Sequence, residues 1–225
     1  TKQIGIIRKG ELIMQSITAY FQEHSAEYIG YVLEHLKVSA LSVLIAIVIA
    51  VPLGIISTRF KWVEKISQWF WGTLRIIPSL AILILCLPII GTGVTPAVVA
   101  LSILAIPPIL LNTTIAFETL PPMVIEAAEG MGMSKKRLFF TVKVPLAFPV
   151  VFTGIRTAVV EVIASATLAA YIGAGGLGTL IFTGLGLMRN DFLWIGGLSV
   201  AILSLGVGFI LSLIDKWITR YERVK

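Results

Sequence analysis

The stretch EAAEGMGMSKKRLFFTVKVP (residues 126–145) places charges, small residues and glycines between long apolar runs of the chain. Alanine is the best helix former, and a carboxylate in the first helical turn favours the positive end of the helix dipole. The Glu-Ala-Ala triplet therefore suits a helix start. Gly130 and Gly132 weaken a helix and permit a bend or a close backbone approach. This half of the stretch predicts a short helix that ends in a bend.

The second half of the stretch, SKKRLFFTVK, is compatible with another helix whose apolar side is formed by Leu138, Phe139 and Val142. Pro145 suits the first turn of a following helix, where its missing N–H costs nothing. A helix–bend–helix with one apolar side fits a groove on a second protein. A helix lying on lipid is the alternative, but it does not account for the paired alanines and the glycines. We predict that residues 123–145 dock on a partner protein.

The rest of the chain has the composition of a membrane protein. Its 225 residues are 57% hydrophobic and 13% charged, and the mean hydropathy is +0.96. Soluble domains carry about 25% charged residues. The single Cys86 excludes a disulfide framework, and His24 and His35 lack the spacing of metal ligands, so no metal site is expected.

Five apolar segments are long enough to cross a hydrocarbon core of about 30 Å, which takes about 20 helical residues. Extended strands are not expected because open sheet edges cannot be satisfied in lipid. The predicted fold class is therefore all-α, a polytopic bundle of five membrane helices. The predicted spans are residues 38–58, 69–90, 94–116, 146–171 and 192–214.

The N-terminal residues 10–35 mix apolar residues at helical spacing with acids. We predict an external amphipathic helix within residues 1–36, lying against the bundle or the lipid surface. A short extension that does not span the membrane is an equal alternative. Residues 37–220 then form the transmembrane domain, and residues 221–225 form a cytoplasmic tail. No cleavable signal peptide is expected.

The basic residues predict the orientation of the bundle. Most of them fall on one side of a five-span topology, and that side is cytoplasmic by the positive-inside rule. The N-terminus is then outside and the C-terminus inside. The residues on the predicted cytoplasmic side are Arg59, Lys61, Lys65, Lys135, Lys136, Arg137, Lys143, Lys216, Arg220, Arg223 and Lys225.

The stretch at 126–145 resembles the EAA signature of ABC importer permeases. That signature reads EAA, three residues, Gly, nine residues, Ile-x-Leu-Pro, and valines stand here in place of Ile and Leu. In the family this segment is the coupling helix, which fits a cleft of a cytoplasmic ATPase and transmits its closure. The resemblance also implies the five-helix core of the methionine-permease (MetI-like) type. The residues at the signature positions are Glu126, Ala127, Ala128, Gly132, Val142, Val144 and Pro145.

Three further stretches are similar to osmoprotectant permeases, which import glycine betaine, carnitine, choline or proline betaine. They are LRIIPSLAILILCLPIIGTGVTPAVVAL at 74–101, GIRTA at 154–158 and ATLAAYIGAGGLG at 166–178. The Ile-Pro-Ser-Leu-Ala at 77–81 separates them from methionine permeases. Two positions depart from these relatives: Leu111, where a basic or polar residue is common, and Glu161, where a neutral residue is usual. Methionine and ergothioneine importers remain alternative assignments.

The resemblance implies a set of partners and no chemistry on this chain. A pair of ATPase subunits would dock at the cytoplasmic face, a second permease copy or a paralogue would complete the channel, and an external binding protein would deliver the solute. ATP and Mg²⁺ would be bound by the ATPase, since the chain lacks a phosphate-binding GxxxxGK[ST] loop. The chain is therefore expected to be a multi-pass protein of the cell membrane, without enzyme activity, cofactor or nucleic-acid partner. An intramembrane enzyme and an autonomous channel are the rival classes.

Several polar, aromatic and proline residues within the spans are candidates for the solute pathway. Prolines at 52, 78, 88, 107 and 108 are expected to break the first three spans, as transporters do beside substrate paths. Phe152, Tyr171 and Phe182 could offer aromatic faces to a trimethylammonium group. Ser and Thr side chains are as often contacts between helices. The pathway candidates are Pro78, Ser79, Asn112, Thr113, Glu161 and Tyr171.

Glu161 is a carboxylate at membrane depth, which is costly and usually faces a bundle interior or a wet cavity. It either attracts a cationic solute or pairs with Arg156, Arg75 or a neighbouring subunit, and we favour the pair. Arg156 is five residues away, about 140° around a regular helix, so a direct pair with it is not expected.

The stretch Gly-Ala-Gly-Gly-Leu-Gly at 173–178 fits the GxGxxG pattern, but no strand precedes it, so a dinucleotide site is not expected. Close packing or an external gate is the predicted role of Gly173, Gly175, Gly176 and Gly178.

Overall fold

The computed structural model describes residues 14–220 and confirms an all-α fold, with no strand in that part of the chain. Residues 14–23 are helical. A π-helical turn, Phe139–Lys143, and a 3₁₀ turn, Ala170–Ile172, flank the seventh of nine further helices. These helices are α1 Ser25–Ser57, α2 Lys61–Leu74, α3 Ser79–Ile90, α4 Val94–Glu118, α5 Pro122–Gly130, α6 Lys135–Leu138, α7 Val144–Ala169, α8 Gly178–Gly186 and α9 Asn190–Ile218.

Four stretches of helix are long and apolar enough to cross a membrane, namely Ser25–Ser57, Val94–Glu118, Lys135–Ile172 and Asn190–Ile218. A fifth span is made only if α2 and α3 are counted together. These two helices are bent by 96° relative to each other, so the predicted span over 69–90 is interrupted, as expected for Pro78. Pro78 explains the break, because proline disfavours helical geometry at the residue before it.

The other prolines do not break their helices. Pro52 lies inside α1, Pro88 inside α3, and Pro107 and Pro108 inside α4. The expectation that all five prolines interrupt spans is therefore correct only for Pro78. Membrane helices tolerate proline where neighbouring helices and Ser or Thr side chains satisfy the freed backbone groups.

The N-terminal region differs from the expected separate amphipathic helix. Residues 14–23 form one helix, which is interrupted at His24, whereas residues 25–35 are the first turns of α1. The expected boundary between residues 36 and 37 thus falls within a continuous helix. Residues 1–13 and the tail at 221–225 lie outside the described residues, and so do their basic residues Lys2, Arg8, Lys9, Arg223 and Lys225.

The chain divides into two compact units, each built from three stretches of sequence. One unit contains 14–41, Ser79–Leu101 and Val162–Gly206, and its core includes Tyr20, Leu177, Leu180 and Ile195. The other contains Ser42–Pro78, Ser102–Glu161 and 207–220. Its core cluster consists of Ala116, Leu120, Ala147 and Val151.

The candidate coupling segment and pathway residues

Helix α5 begins earlier than the sequence pattern indicates. Pro121 is the N-cap, Pro122 occupies the first helical turn, and the helix ends at Gly130. Glu126 consequently lies in the second turn, so the expected role of its carboxylate at the helix start is wrong. Proline is favoured at the first helical position because its fixed φ suits the first turn and its missing N–H is not needed there.

Gly132 ends α5 through a specific pair of backbone hydrogen bonds. Its φ is +76°, its N–H donates to the Glu129 carbonyl at 2.9 Å, and the Met133 N–H donates to the Ala128 carbonyl at 3.2 Å. These two bonds define a Schellman motif with glycine at the left-handed position. A side chain at Gly132 would meet no atom within 4 Å. The glycine of the EAA pattern is therefore needed for its backbone conformation and not for close approach of another chain segment.

The two alanines of the pattern face different environments. Ala128 is buried, with 3% of its surface exposed, whereas Ala127 and Glu126 are exposed. Two large apolar side chains on the same segment are also exposed, Met123 at 81% and Met131 at 72%. The inner alanine anchors α5 to the bundle, and the outer residues form an uncovered surface.

The second helix of the segment is shorter than expected and runs into the next span. Ser134 caps α6 by accepting a hydrogen bond from the Arg137 N–H at 3.4 Å. The π-helical turn follows, in which the Val144 N–H donates to the Phe139 carbonyl five residues back. Residues 135–172 form one helical stretch. Pro145 lies in the first turn of α7, as expected, although α7 continues this helical stretch instead of starting it. The π turn lies beside the position where proline removes a regular bond.

Apolar contacts attach the coupling segment to the bundle. The ring of Phe139 stacks on Phe117 of α4, with 5.9 Å between ring centroids. Ile125 packs against the core cluster that contains Ala116 and Ala147. Because both arms of the segment are held by side-chain packing, a displacement of α5 would move the ends of α4 and α7 with it.

The buried polar residues of α4 make contacts within and between helices. The Thr113 hydroxyl donates to the Ile109 carbonyl at 2.7 Å, and its side chain is fully buried where α4 passes Gly54 of α1. The Asn112 side-chain amide donates to the Pro108 carbonyl at 2.8 Å and lies against Gly154 of α7. The alternative given for Ser and Thr side chains, a contact between helices, agrees with the position of Thr113 against Gly54.

Two ionisable side chains of α7 have different surroundings. Arg156 forms an ion pair with Asp215 of α9, with 3.6 Å between Nη1 and Oδ2. Glu161 is half-buried and makes no ion pair within the described residues. Arg75 lies beyond ion-pair distance of Glu161. Glu161 and Arg156 are thus not paired, as the helical spacing predicted.

The remaining pathway candidates are the neighbours Pro78 and Ser79 and, much later in the sequence, Tyr171. Pro78 is exposed at the break between α2 and α3, and Ser79 begins α3. Tyr171 is 62% exposed in the 3₁₀ turn, and its ring lies 5.6 Å from that of Phe182.

The glycines at 173–178 form a tight connection before α8. Gly173, Gly175 and Gly176 have positive φ. A Cβ on Gly178 would overlap the Thr167 carbonyl oxygen, so only glycine fits where this turn meets α7. The glycines do not form a dinucleotide-binding loop, because such a loop follows a strand and these glycines follow helical residues.

Glu34 and His35 of α1 contact this glycine connection, and the sequence pattern did not single them out as site residues. The Gly176 N–H donates to Glu34 Oε2 at 3.0 Å, across 142 positions of sequence. His35 is buried, with Nε2 at 2.9 Å from the Ile163 carbonyl oxygen. The sequence feature that could have indicated them is that Glu34 and His35 are adjacent and lie just before a predicted span. No group of three or more potential metal ligands occurs in the part of the chain that the structure describes.

Solved structures share this architecture. An inward-facing structure of the MetNI methionine ABC transporter contains a chain that aligns with a TM-score of 0.74 at 23% identity, covering 85% of this chain and 96% of that one. An amino acid ABC transporter with histidines aligns with a TM-score of 0.73 at 18% identity, covering 88% of this chain and 97% of that one. The chain therefore shares its fold with chains of these two transporters.

Sequence comparison assigns the family. A family model described as the binding-protein-dependent transport system inner membrane component matches residues 50–223, and the chain belongs to this family. The carnitine transport permease protein OpuCB of Listeria monocytogenes is 41% identical over 206 residues, 92% of this chain and 94% of that protein. The glycine betaine/carnitine/choline permease OpuCB of Bacillus subtilis is 35% identical, covering 92% and 95%. The resemblance seen in the EAA stretch is confirmed.

Proposed function

We propose that this chain is the permease subunit of an ATP-driven importer of small quaternary ammonium solutes such as glycine betaine, carnitine or choline. The observation that carries the solute class is its 41% identity to a carnitine permease over nearly the whole of both chains. The family itself is that of inner-membrane components of binding-protein-dependent transport systems. Such systems obtain the solute from a separate binding protein, which we place on the external side.

We assign ATPase docking to the coupling segment, residues 123–145. Glu126, Ala127, Met123 and Met131 are exposed together on α5 and the turn that follows it. Helices with small and apolar exposed residues suit a hydrophobic groove on a partner. Gly132 sets the angle between the arms, and Val142, Val144 and Pro145 connect the segment to α7. ATP and Mg²⁺ would then be held by the docked ATPase and not by this chain.

The transport cycle follows from these connections. Closure of two docked ATPases would draw two coupling segments together, one from this chain and one from a second copy or a paralogue. Phe139 and Ile125 would transmit that displacement to α4 and α7 through packing. Because packed helices move as rigid elements, the bundle would switch between inward-open and outward-open arrangements.

The orientation in this proposal is N-terminus outside and C-terminus inside. Lys135, Lys136 and Arg137 are exposed on α6, as positive-inside residues of a short cytoplasmic loop would be. Labelling of a cysteine at position 135 from one side of intact cells tests it. Reaction from the external side would overturn the orientation and the ATPase-docking assignment together.

The function is tested by purifying the complex in mild detergent, identifying its subunits and measuring uptake in proteoliposomes. We expect an ATPase to copurify, and ATP-dependent uptake of at least one quaternary ammonium solute supplied with the binding protein. If the transporter took up only methionine, or only ergothioneine, the proposed solute class would be wrong and the assignment as an importer would stand. Uptake without ATP would contradict the importer mechanism.

A further inference from the structure

A small pocket lies between α2 and α4, within one of the two compact units. Its volume is about 120 Å³, and its walls include Gln68, Trp71 and Arg75 of α2 with Pro107, Leu110 and Leu111 of α4. The three α2 residues follow at spacings of three and four, which places them on one side of the helix. Mostly apolar walls with a few polar groups are typical of small-ligand sites.

Arg75 is an unpaired cation at this pocket. It caps α2 at the sharp bend before α3, is exposed, and has no acidic partner within 4.0 Å among residues 14–220. A planar guanidinium binds a carboxylate through two parallel hydrogen bonds. The free charge at Arg75 therefore suits a solute carboxylate.

The pocket wall carries one basic side chain, Arg75, and no acidic one. Arg156, the other basic residue predicted within the spans, is already paired with Asp215. Arg75 is therefore left to contact the carboxylate of a solute, and a zwitterion would also need a partner for its cationic end.

Trp71 supplies a surface for the other end of such a solute. Its ring lines the pocket one helical turn before Arg75. Tryptophan is the best aromatic partner for a quaternary ammonium group, which cannot donate hydrogen bonds and is attracted to the ring face. An arginine and a tryptophan one turn apart can thus contact the two ends of a small betaine.

We propose that the pocket at Trp71 and Arg75 is a transit site for zwitterionic quaternary ammonium solutes. Arg75 contacts the carboxylate, and Trp71 contacts the ammonium group. This inference rests on the proposed function, since it concerns the solute that the importer carries. Arg75 is then the residue that separates betaines from choline, which has a hydroxyl group in place of the carboxylate.

The test compares ATP-driven uptake of glycine betaine and of choline by the complete transporter in proteoliposomes. Arg75→Gln is expected to lower betaine uptake about tenfold relative to choline, the loss of one charge-assisted contact. Trp71→Leu is expected to lower uptake of both solutes. Lys61→Gln, at the exposed start of α2 and away from the pocket, is the matched control and is expected to leave both rates unchanged.

A second variant protects the test against misfolding of Arg75→Gln. Leu111→Glu places a carboxylate on the pocket wall opposite α2, where it competes with the solute for Arg75, and is expected to shift the ratio toward choline in the same direction. An equal loss of both solutes in whichever of these two variants still copurifies with the ATPase overturns the proposal. So does a wild-type transporter that carries choline and not betaine. A wild-type transporter that carries neither contradicts the proposed function instead.

Discussion

The Met133 N–H donates to the Ala128 carbonyl at 3.2 Å, and this bond closes helix α5 around Gly132. Ala128 is buried against the bundle, whereas the residues around it on α5 are exposed. The bond therefore joins the anchored point of the coupling segment to the turn that sets the direction of its second arm. A substitution at the turn would therefore change the surface that a docked partner contacts and leave the packing of the core unchanged.

Gly132→Ala is expected to reduce solute uptake several-fold while leaving the protein in the membrane. A left-handed conformation costs an L-residue about 1–2 kcal/mol, so the turn would open to relieve it. The control is Gly130→Ala, which lies within α5, meets no atom within 4 Å, and is expected to transport normally. Measurements are uptake and coupled ATP hydrolysis in proteoliposomes. Equal activity of the two variants would contradict the role of the Schellman turn.

The two neighbouring alanines are expected to fail in different ways. Ala127→Leu enlarges an exposed residue and should weaken copurification of the ATPase without changing the melting temperature of the detergent-solubilised permease. Ala128→Leu inserts volume into a buried position and should lower stability by about 1–3 kcal/mol. Pull-down with the ATPase and thermal unfolding of each variant check this. A lower melting temperature for Ala127→Leu would place that side chain in the core.

Gly178→Ala is expected to destabilise the permease by about 1–3 kcal/mol, because the added methyl group overlaps the Thr167 carbonyl. Gly186, at the other end of α8, has no atom within 4 Å of an added Cβ. Gly186→Ala is therefore the matched control and should unfold at the wild-type temperature. Thermal unfolding in one detergent compares them directly.

The ion pair between Arg156 and Asp215 is expected to show a coupling energy of about 0.5–1 kcal/mol, since both side chains are partly exposed in the permease. Arg156→Gln and Asp215→Asn should each lower the melting temperature, and the double variant should lose less than the sum of the two. Strict additivity would show that the pair contributes nothing. Glu161→Gln should not interact with Arg156→Gln in the same experiment.

The coupling segment shows how far local patterns reach. Charge, alanines and glycines predicted a helix, a bend and a second helix between two spans, and the structure has them. The pattern did not predict that α5 begins at Pro122 or that a π turn carries the second arm into α7. Helix boundaries depend on which backbone N–H and C=O groups form hydrogen bonds. Pro121, Pro122 and Pro145 remove donors from that pattern, and helix propensities of single residues do not describe this effect.

The amino-acid sequence by itself determined that this chain is an all-α membrane bundle and a permease of binding-protein-dependent importers. Hydropathy over span lengths and the spacing of the EAA residues are properties of neighbouring positions, so they can be read along the chain. Only the tertiary structure decided that Glu34 contacts Gly176, that Asp215 and not Glu161 pairs with Arg156, and that Arg75 and Trp71 line one pocket. These relationships join distant segments or depend on how a helix bends, and side-chain packing between helices sets them.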